Sequence, residues 1–133
     1  MGKMTELTVQ IENKPGTLAS LGEALAKAKV NILAFTAEAG EGSNRVRLTT
    51  DKSAKAKEVL AGLNLQVSEA EVVGIVLKNK VGTLASAARK LASANININY
   101  SYSGAEEGSK RQLVVLGLSD VKLAIKALKK DKS

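Results

Sequence analysis

The chain has 133 residues and a formal net charge of +7, with no cysteine and no histidine. Its length suits one ordinary domain or two very small ones. The two missing residue types exclude disulfides, thiolate nucleophiles, metal sites built on cysteine or histidine, and serine–histidine catalysis.

The first half of the chain predicts six elements. Leu7, Val9 and Ile11 alternate with polar residues, which is typical of a half-buried strand. Lys14-Pro15-Gly16 ends this strand, and apolar residues at helical spacing follow. The remaining predicted elements are a strand at 30–37, a strand at 45–50, a helix and a short strand at 65–69. The helix carries Ala56, Val59, Leu60 and Leu63, and Asp51 and Ser53 are candidates to cap it. The order is therefore βαββαβ.

The second half repeats the first. Residues 13–20 recur at 79–86 with one substitution, Val81 for Pro15, and more than half of positions 13–32 match positions 79–98. The second copy predicts strands at 72–78, 96–103 and 111–117, and helices at 83–94 and 120–130. We expect an α+β fold of two ferredoxin-like βαββαβ units in tandem, residues 1–70 and 71–133, with antiparallel sheets, helices on one face, and no last strand in the second unit.

The turn between the first strand and first helix of each copy carries the clearest chemical signal. A glycine there, Gly16 or Gly82, lets a ligand approach the backbone, and the unpaired N–H groups of the helix favour a carboxylate. Asparagine amides nearby offer both acceptors and donors to an α-amino group. The same glycines also suit a simple turn, and the same asparagines also suit strand ends.

Residues 12–18 followed by 29–32, and residues 78–84 followed by 94–98, resemble the signature of the ACT domain. The resemblance implies a tandem ACT protein in which units pair and bind an amino acid at their interface. It assigns ligand contacts to Asn13 and Asn31, and in the second copy to Asn79 and Asn97. Beside them we also expect contacts from Lys14, Pro15, Gly16, Thr17, Leu18 and Ile32, and from Gly82, Thr83, Leu84 and Ile98. It implies no catalytic residue, cofactor or metal ligand. Because Val81 replaces the proline, we expect the second turn to be less rigid.

The two sheets differ on the face away from the helices. Thr8 and Gln10 suit water, whereas Gly74 and Val76 are apolar, and residues 72–78 lack a neighbouring last strand. We therefore expect the second sheet to be covered by another chain in a homodimer. The alternation also places Tyr100 and Tyr102 on the face of Ile96 and Ile98.

Three functions compete at this point. The first is a non-catalytic regulatory protein that binds an amino acid between ACT units; the second is the regulatory subunit of an amino-acid biosynthetic enzyme such as acetolactate synthase. The third is an RNA-binding module, which shares the element order but places aromatic residues on strands that have none here. The excess lysines lie mostly near residues 122–132, where they suit a solvated helix end better than a nucleic-acid surface. We expect a cytoplasmic protein because no apolar run is long enough to span a membrane.

Overall fold

The computed structural model describes residues 2–129. Its elements in chain order are β1 (Gly2–Glu12), α1 (Thr17–Lys27), β2 (Ile32–Ala39), β3 (Ser43–Thr50), α2 (Ser53–Gly62), β4 (Val67–Lys78), α3 (Thr83–Ser93), β5 (Ile98–Gly104), β6 (Arg111–Leu118) and α4 (Val121–Lys129). The chain divides into two compact units. One contains residues 5–70, and the other contains residues 71–129 together with residues 2–4.

The first unit is a four-stranded antiparallel sheet with two helices. Its strand order is β2-β3-β1-β4, and Leu48 of β3 faces Leu7 on one side and Phe35 on the other. Alternate residues of a strand point to opposite faces, so one face of each strand is apolar. That face packs with Leu25 of α1 and Leu60 of α2, and both leucines are fully buried.

The second unit repeats this arrangement with β5-β6-β4-β1. Its core joins Val73 and Leu116 of the sheet to Leu91 of α3 and Leu128 of α4. In each unit the helices and the sheet enclose a core of their own. Both units are therefore ferredoxin-like, which confirms the predicted fold class.

Two strands are longer than the sequence predicts. The structure has one continuous strand β4 where the sequence predicts two, at 65–69 and 72–78. Strand β1 begins at Gly2 rather than at Leu7. The sequence predicts that the edge of residues 72–78 is unpaired. In the structure residues 2–4 of β1 belong to the second unit and β1 neighbours β4, so this edge is partly paired.

In the second unit, the face of the sheet away from the helices is partly covered by other residues of the same chain. Val72 and Val115 on this face are fully buried. The Met4 side chain lies over Gly74, where an added Cβ would overlap its sulfur. The prediction that this face needs another chain is therefore wrong for its central part, because the sequence pattern did not reveal that residues 2–4 lie there. Val76, at the end of the face, remains about half exposed (55%).

The tyrosines lie on the opposite face from the one predicted. An irregularity between Ile98 and Tyr100 shifts the register of β5, so that Tyr100 faces Gly117 and Tyr102 faces Val115. Ile96 and Ile98 pack in the core beneath α3 and α4. A bulge changes which face the following residues occupy, and strict alternation cannot anticipate it.

Candidate functional site

The two strand-to-helix turns have almost the same conformation. Gly16 has φ 92° and ψ −15°, and Gly82 has φ 91° and ψ −11°, both in the left-handed region that favours glycine. A Cβ added at either glycine would meet no atom within 4 Å. The space above both turns is therefore open to a ligand, and the backbone conformation independently requires glycine.

The threonine after each glycine closes its turn. The Thr17 hydroxyl lies 2.7 Å from the Glu12 carbonyl oxygen and 3.0 Å from that of Lys14, and donates to them. The Thr83 hydroxyl makes the same contacts with Lys78 and Lys80, at 2.8 and 3.1 Å. Both threonines, predicted to contact ligand, thus also hold the turn together.

The helix N-termini at these turns carry no side-chain cap. Neither Gly16 nor Gly82 provides a capping hydrogen bond, and the first turns of α1 and α3 contain no acidic residue. Uncapped N–H groups and the helix dipole attract an anion. The strand-to-helix turn of the first unit also carries an exposed ion pair, with Lys14 Nζ 3.1 Å from Glu12 Oε2.

Three of the four predicted asparagines already use their side-chain amides within the chain. Asn13 accepts from Asn44 at 3.3 Å, Asn79 donates to the Ser109 carbonyl at 2.9 Å, and Asn97 donates to Asn99 at 3.0 Å. Asn31 is bound through its backbone instead, since its N–H donates to Asp51 at 2.9 Å. Each amide retains further donor or acceptor capacity.

Within one unit, the structure does not bring the paired asparagines together. Asn13 contacts Asn44 near the start of β3, whereas Asn31 contacts Asp51 just past its end. Asp51 lies seven positions beyond Asn44 along this extended segment, a distance of roughly 23 Å. One free amino acid cannot reach both Asn13 and Asn31 of the same unit. The same holds in the second unit. Asn79 bonds to Ser109 just before the start of β6, whereas Ile98, the residue after Asn97, pairs with Leu118 at the end of β6.

Apolar side chains are exposed around both turns. Val81 is fully exposed, Leu84 is 57% exposed and Leu18 is 40% exposed. Leu18 and the predicted residue Ile32 line a small apolar hollow with Phe35 on the β2 side of α1. Exposed apolar groups of this size around a candidate site favour contact with another chain or a ligand.

A larger cleft of about 570 Å³ lies beside the second turn. Its lining includes the predicted residues Gly82 and Thr83, together with Lys78, Lys90 and Leu128. Sequence reasoning missed these last three residues. A signal for Lys78 was present, because it stands where the first copy has Glu12.

The described residues offer no cluster suited to metal binding. Among residues 2–129, no three Asp or Glu side chains come together in a group that could hold an ion. No helix in the same range is long and apolar enough to cross a membrane.

Comparison with known proteins identifies the family to which the chain belongs. The ACT domain pair model matches residues 2–121, so the chain belongs to the ACT domain pair family. Protein BT0572 from Bacteroides thetaiotaomicron has a similar structure, with a TM-score of 0.88, 29% identity, and coverage of 96% of this chain and 88% of that one. No curated protein sequence matches the chain.

Two further structures share the fold. One is the ligand-free regulatory subunit of aspartate kinase from Thermus thermophilus, with a TM-score of 0.69, 20% identity, and coverage of 97% of this chain and 94% of that one. The other is the regulatory subunit of aspartate kinase from Thermus flavus, with a TM-score of 0.60, 18% identity, and coverage of 96% and 95%. The predicted tandem ACT organisation is thereby confirmed.

Proposed function

We propose that this chain is a non-catalytic, cytoplasmic regulatory protein that binds a free amino acid between ACT units. The observation that carries the proposal is the pair of uncapped helix N-termini at Gly16 and Gly82, each open to solvent. The N–H groups there bind the ligand carboxylate. An asparagine amide at the start of β2 or β5 accepts a hydrogen bond from the ligand's α-amino group.

The separation of Asn13 from Asn31 makes this site a shared one. One ligand cannot reach both residues of a unit, which supports a site formed by the turn of one chain and the strand start of another. The protein is then a homodimer whose ligand sites lie at the contact. The exposed Leu18 and Leu84 beside the turns supply apolar surface for that contact.

A thermal-shift screen against the twenty amino acids tests the ligand class. We expect one amino acid, or a few related ones, to raise the melting temperature, since a ligand at about 100 times its Kd stabilises the folded state by about 2.7 kcal/mol. Asn31→Ala should abolish the part of the shift due to the first copy. Gln66→Ala, an exposed change outside both turns, is the control and should respond like the wild type. A screen in which no amino acid shifts the melting temperature contradicts the proposal.

Sedimentation equilibrium tests the shared site. We expect a dimer at micromolar concentration, and we expect the amino acid found in the screen to tighten it, because binding across a contact and formation of that contact are thermodynamically linked. A ligand that binds a monomer, without changing the monomer–dimer equilibrium, would show that each chain completes its own site.

The regulatory-subunit alternative differs in its partner. The Thermus structures of the same fold are named regulatory subunits of aspartate kinase. If this chain regulates an amino-acid biosynthetic enzyme such as acetolactate synthase, the fully exposed Val81 and its neighbour Leu84 are the surface available to a catalytic subunit. Co-purification of a large catalytic subunit, lost in Val81→Asp with Leu84→Asp, distinguishes this function from that of a free-standing protein.

A further inference from the structure

The cleft of about 570 Å³ in the second unit extends well beyond Gly82 and Thr83, the two residues of the proposed amino-acid site that line it. Its walls are the end of β4, the first two turns of α3, and Leu128 at the end of α4. Four consecutive residues of β4, Ile75 to Lys78, line it. Successive strand residues point to opposite faces, so a cleft can contact four in a row only along the strand's edge. The cleft therefore exposes backbone groups of β4.

This part of the β4 edge has no neighbouring strand among residues 2–129. On one side, Val73 to Lys78 pair with β6. On the other side, only residues 2–4 of β1 belong to this unit. Residues 2–4 lie near Glu71 and Gly74, because Lys3 forms an ion pair with Glu71 at 3.7 Å and Met4 covers Gly74. The strand edge of Val76 to Lys78 is open on the side of the cleft, whereas Ile75 is buried.

The first unit shows what covers the corresponding edge. There, residues 67–70 of β4 lie beside β1, and Leu65 and Val67 pack against the core next to α1 and α2. The intervening Gln66 is exposed. An extended segment with apolar side chains two residues apart thus completes the first unit.

The charge around the cleft distinguishes it from its counterpart in the first unit. Lys78, Lys80 and Lys90 line the cleft, and no acidic residue does. Lys78 and Lys80 also line a second depression, together with Lys110 and Arg111. In the first unit, the place of Lys78 is taken by Glu12, which pairs with Lys14. A strand bound in the second unit therefore meets a positive rim.

We propose that this cleft binds an extended acidic segment of a partner protein, which adds a strand to the open edge of β4. Its backbone pairs with Val76 to Lys78, as in other cases where a peptide extends a sheet. Two apolar side chains, spaced like Leu65 and Val67, fill the space between α3 and Leu128. Flanking carboxylates meet the three lysines. A second copy of this chain is a poorer occupant of this edge, because it would place two lysine-rich rims against each other.

Fluorescence anisotropy with a designed peptide tests the proposal. The probe is fluorescein-labelled Glu-Asp-Leu-Glu-Val-Glu-Asp, titrated with the full chain. We expect saturable binding that weakens as salt increases. The double variant Lys78→Glu, Lys80→Glu should bind about tenfold more weakly, because each reversal replaces an attraction with a repulsion. Lys122→Glu with Lys126→Glu, which changes the net charge equally on exposed α4 positions outside the cleft, is the matched control and should bind like the wild type.

Two control peptides test strand addition itself. In one peptide, the backbone nitrogen of the glutamate between leucine and valine carries a methyl group. In the other peptide, leucine and valine are adjacent in the sequence. Both keep the charge, and both should bind at least about tenfold more weakly, because they lose backbone pairing or side-chain alternation. Equal binding of all three peptides would show charge attraction alone and overturn the proposal. The proposal is also overturned if the wild type binds no peptide and is a dimer that Val76→Lys converts to a monomer. That result would assign the β4 edge to a second copy of the chain. Neither result affects the amino-acid screen, which is measured without peptide.

Discussion

Gly16→Val is expected to remove the first-copy contribution to amino-acid stabilisation and to lower the stability of the free protein. The valine side chain would occupy the open space above the turn, where the ligand carboxylate approaches the N–H groups of α1. The backbone at this position has φ 92°, which a β-branched residue adopts only with strain. We expect a loss of about 1–3 kcal/mol in the free energy of unfolding, in addition to the loss of ligand response.

The two effects can be separated with a second variant. Asparagine tolerates the left-handed conformation better than other residues with a side chain, so Gly16→Asn should lose less stability than Gly16→Val. Its side chain still projects into the ligand's space, so the amino-acid response should fall in both variants. Calorimetry with and without the amino acid measures both quantities. If Gly16→Asn responds to the ligand fully, Gly16 is a turn glycine and no ligand approaches it.

Comparison of the two copies shows why the fold could be predicted. The strand around Val9 and the helix around Leu25 have apolar residues at their characteristic spacings, and the second copy repeats them. The four helices and the strands β1, β3, β4 and β6 each contribute buried apolar residues to one of the two cores. Local pattern and local packing agree here, so the element order and the class of fold follow from the sequence.

The continuation of β1 and β4 could not be predicted in the same way. Residues 2–4 show no alternation, and their neighbours in the second unit lie about seventy positions further along the chain. The alternation of the strand predicts that Gly74 is part of an apolar face, whereas in the structure Gly74 makes room for Met4. Contacts between distant segments depend on complementary shape, which a pattern of apolar and polar residues does not encode.

The candidate site was predictable in its parts but not in its arrangement. The turn glycines follow from the repeat, and their left-handed conformation is the one that favours glycine in both copies. The separation of Asn13 from Asn31 along the length of β3 becomes evident only with the fold. Their opposite positions lead to the proposal of a site shared between chains.

Gly117→Val is expected to destabilise the second unit by about 2 kcal/mol, because the outer face of the sheet at this point is occupied by a ring. A Cβ at position 117 would overlap the ring of Tyr100, which the shifted register of β5 places opposite Gly117. Gly117 lies within β6 and is buried, so the ring can avoid the new side chain only by moving away from the sheet. The loss measured by urea unfolding should therefore exceed that of an ordinary glycine replacement in a strand.

Gly104→Val is the matched control for this change. Gly104 ends β5 in the same strand pair, and a Cβ there meets no atom within 4 Å. Valine suits an extended strand, so this variant should be as stable as the wild type or slightly more so. Removing the ring should relieve the overlap. In the background Tyr100→Ala, the cost of Gly117→Val should fall by at least about half, and this difference measures the coupling between the two positions. If both glycine variants lose the same stability, or if the cost is unchanged without the ring, Tyr100 does not rest on Gly117 and the register shift in β5 is wrong.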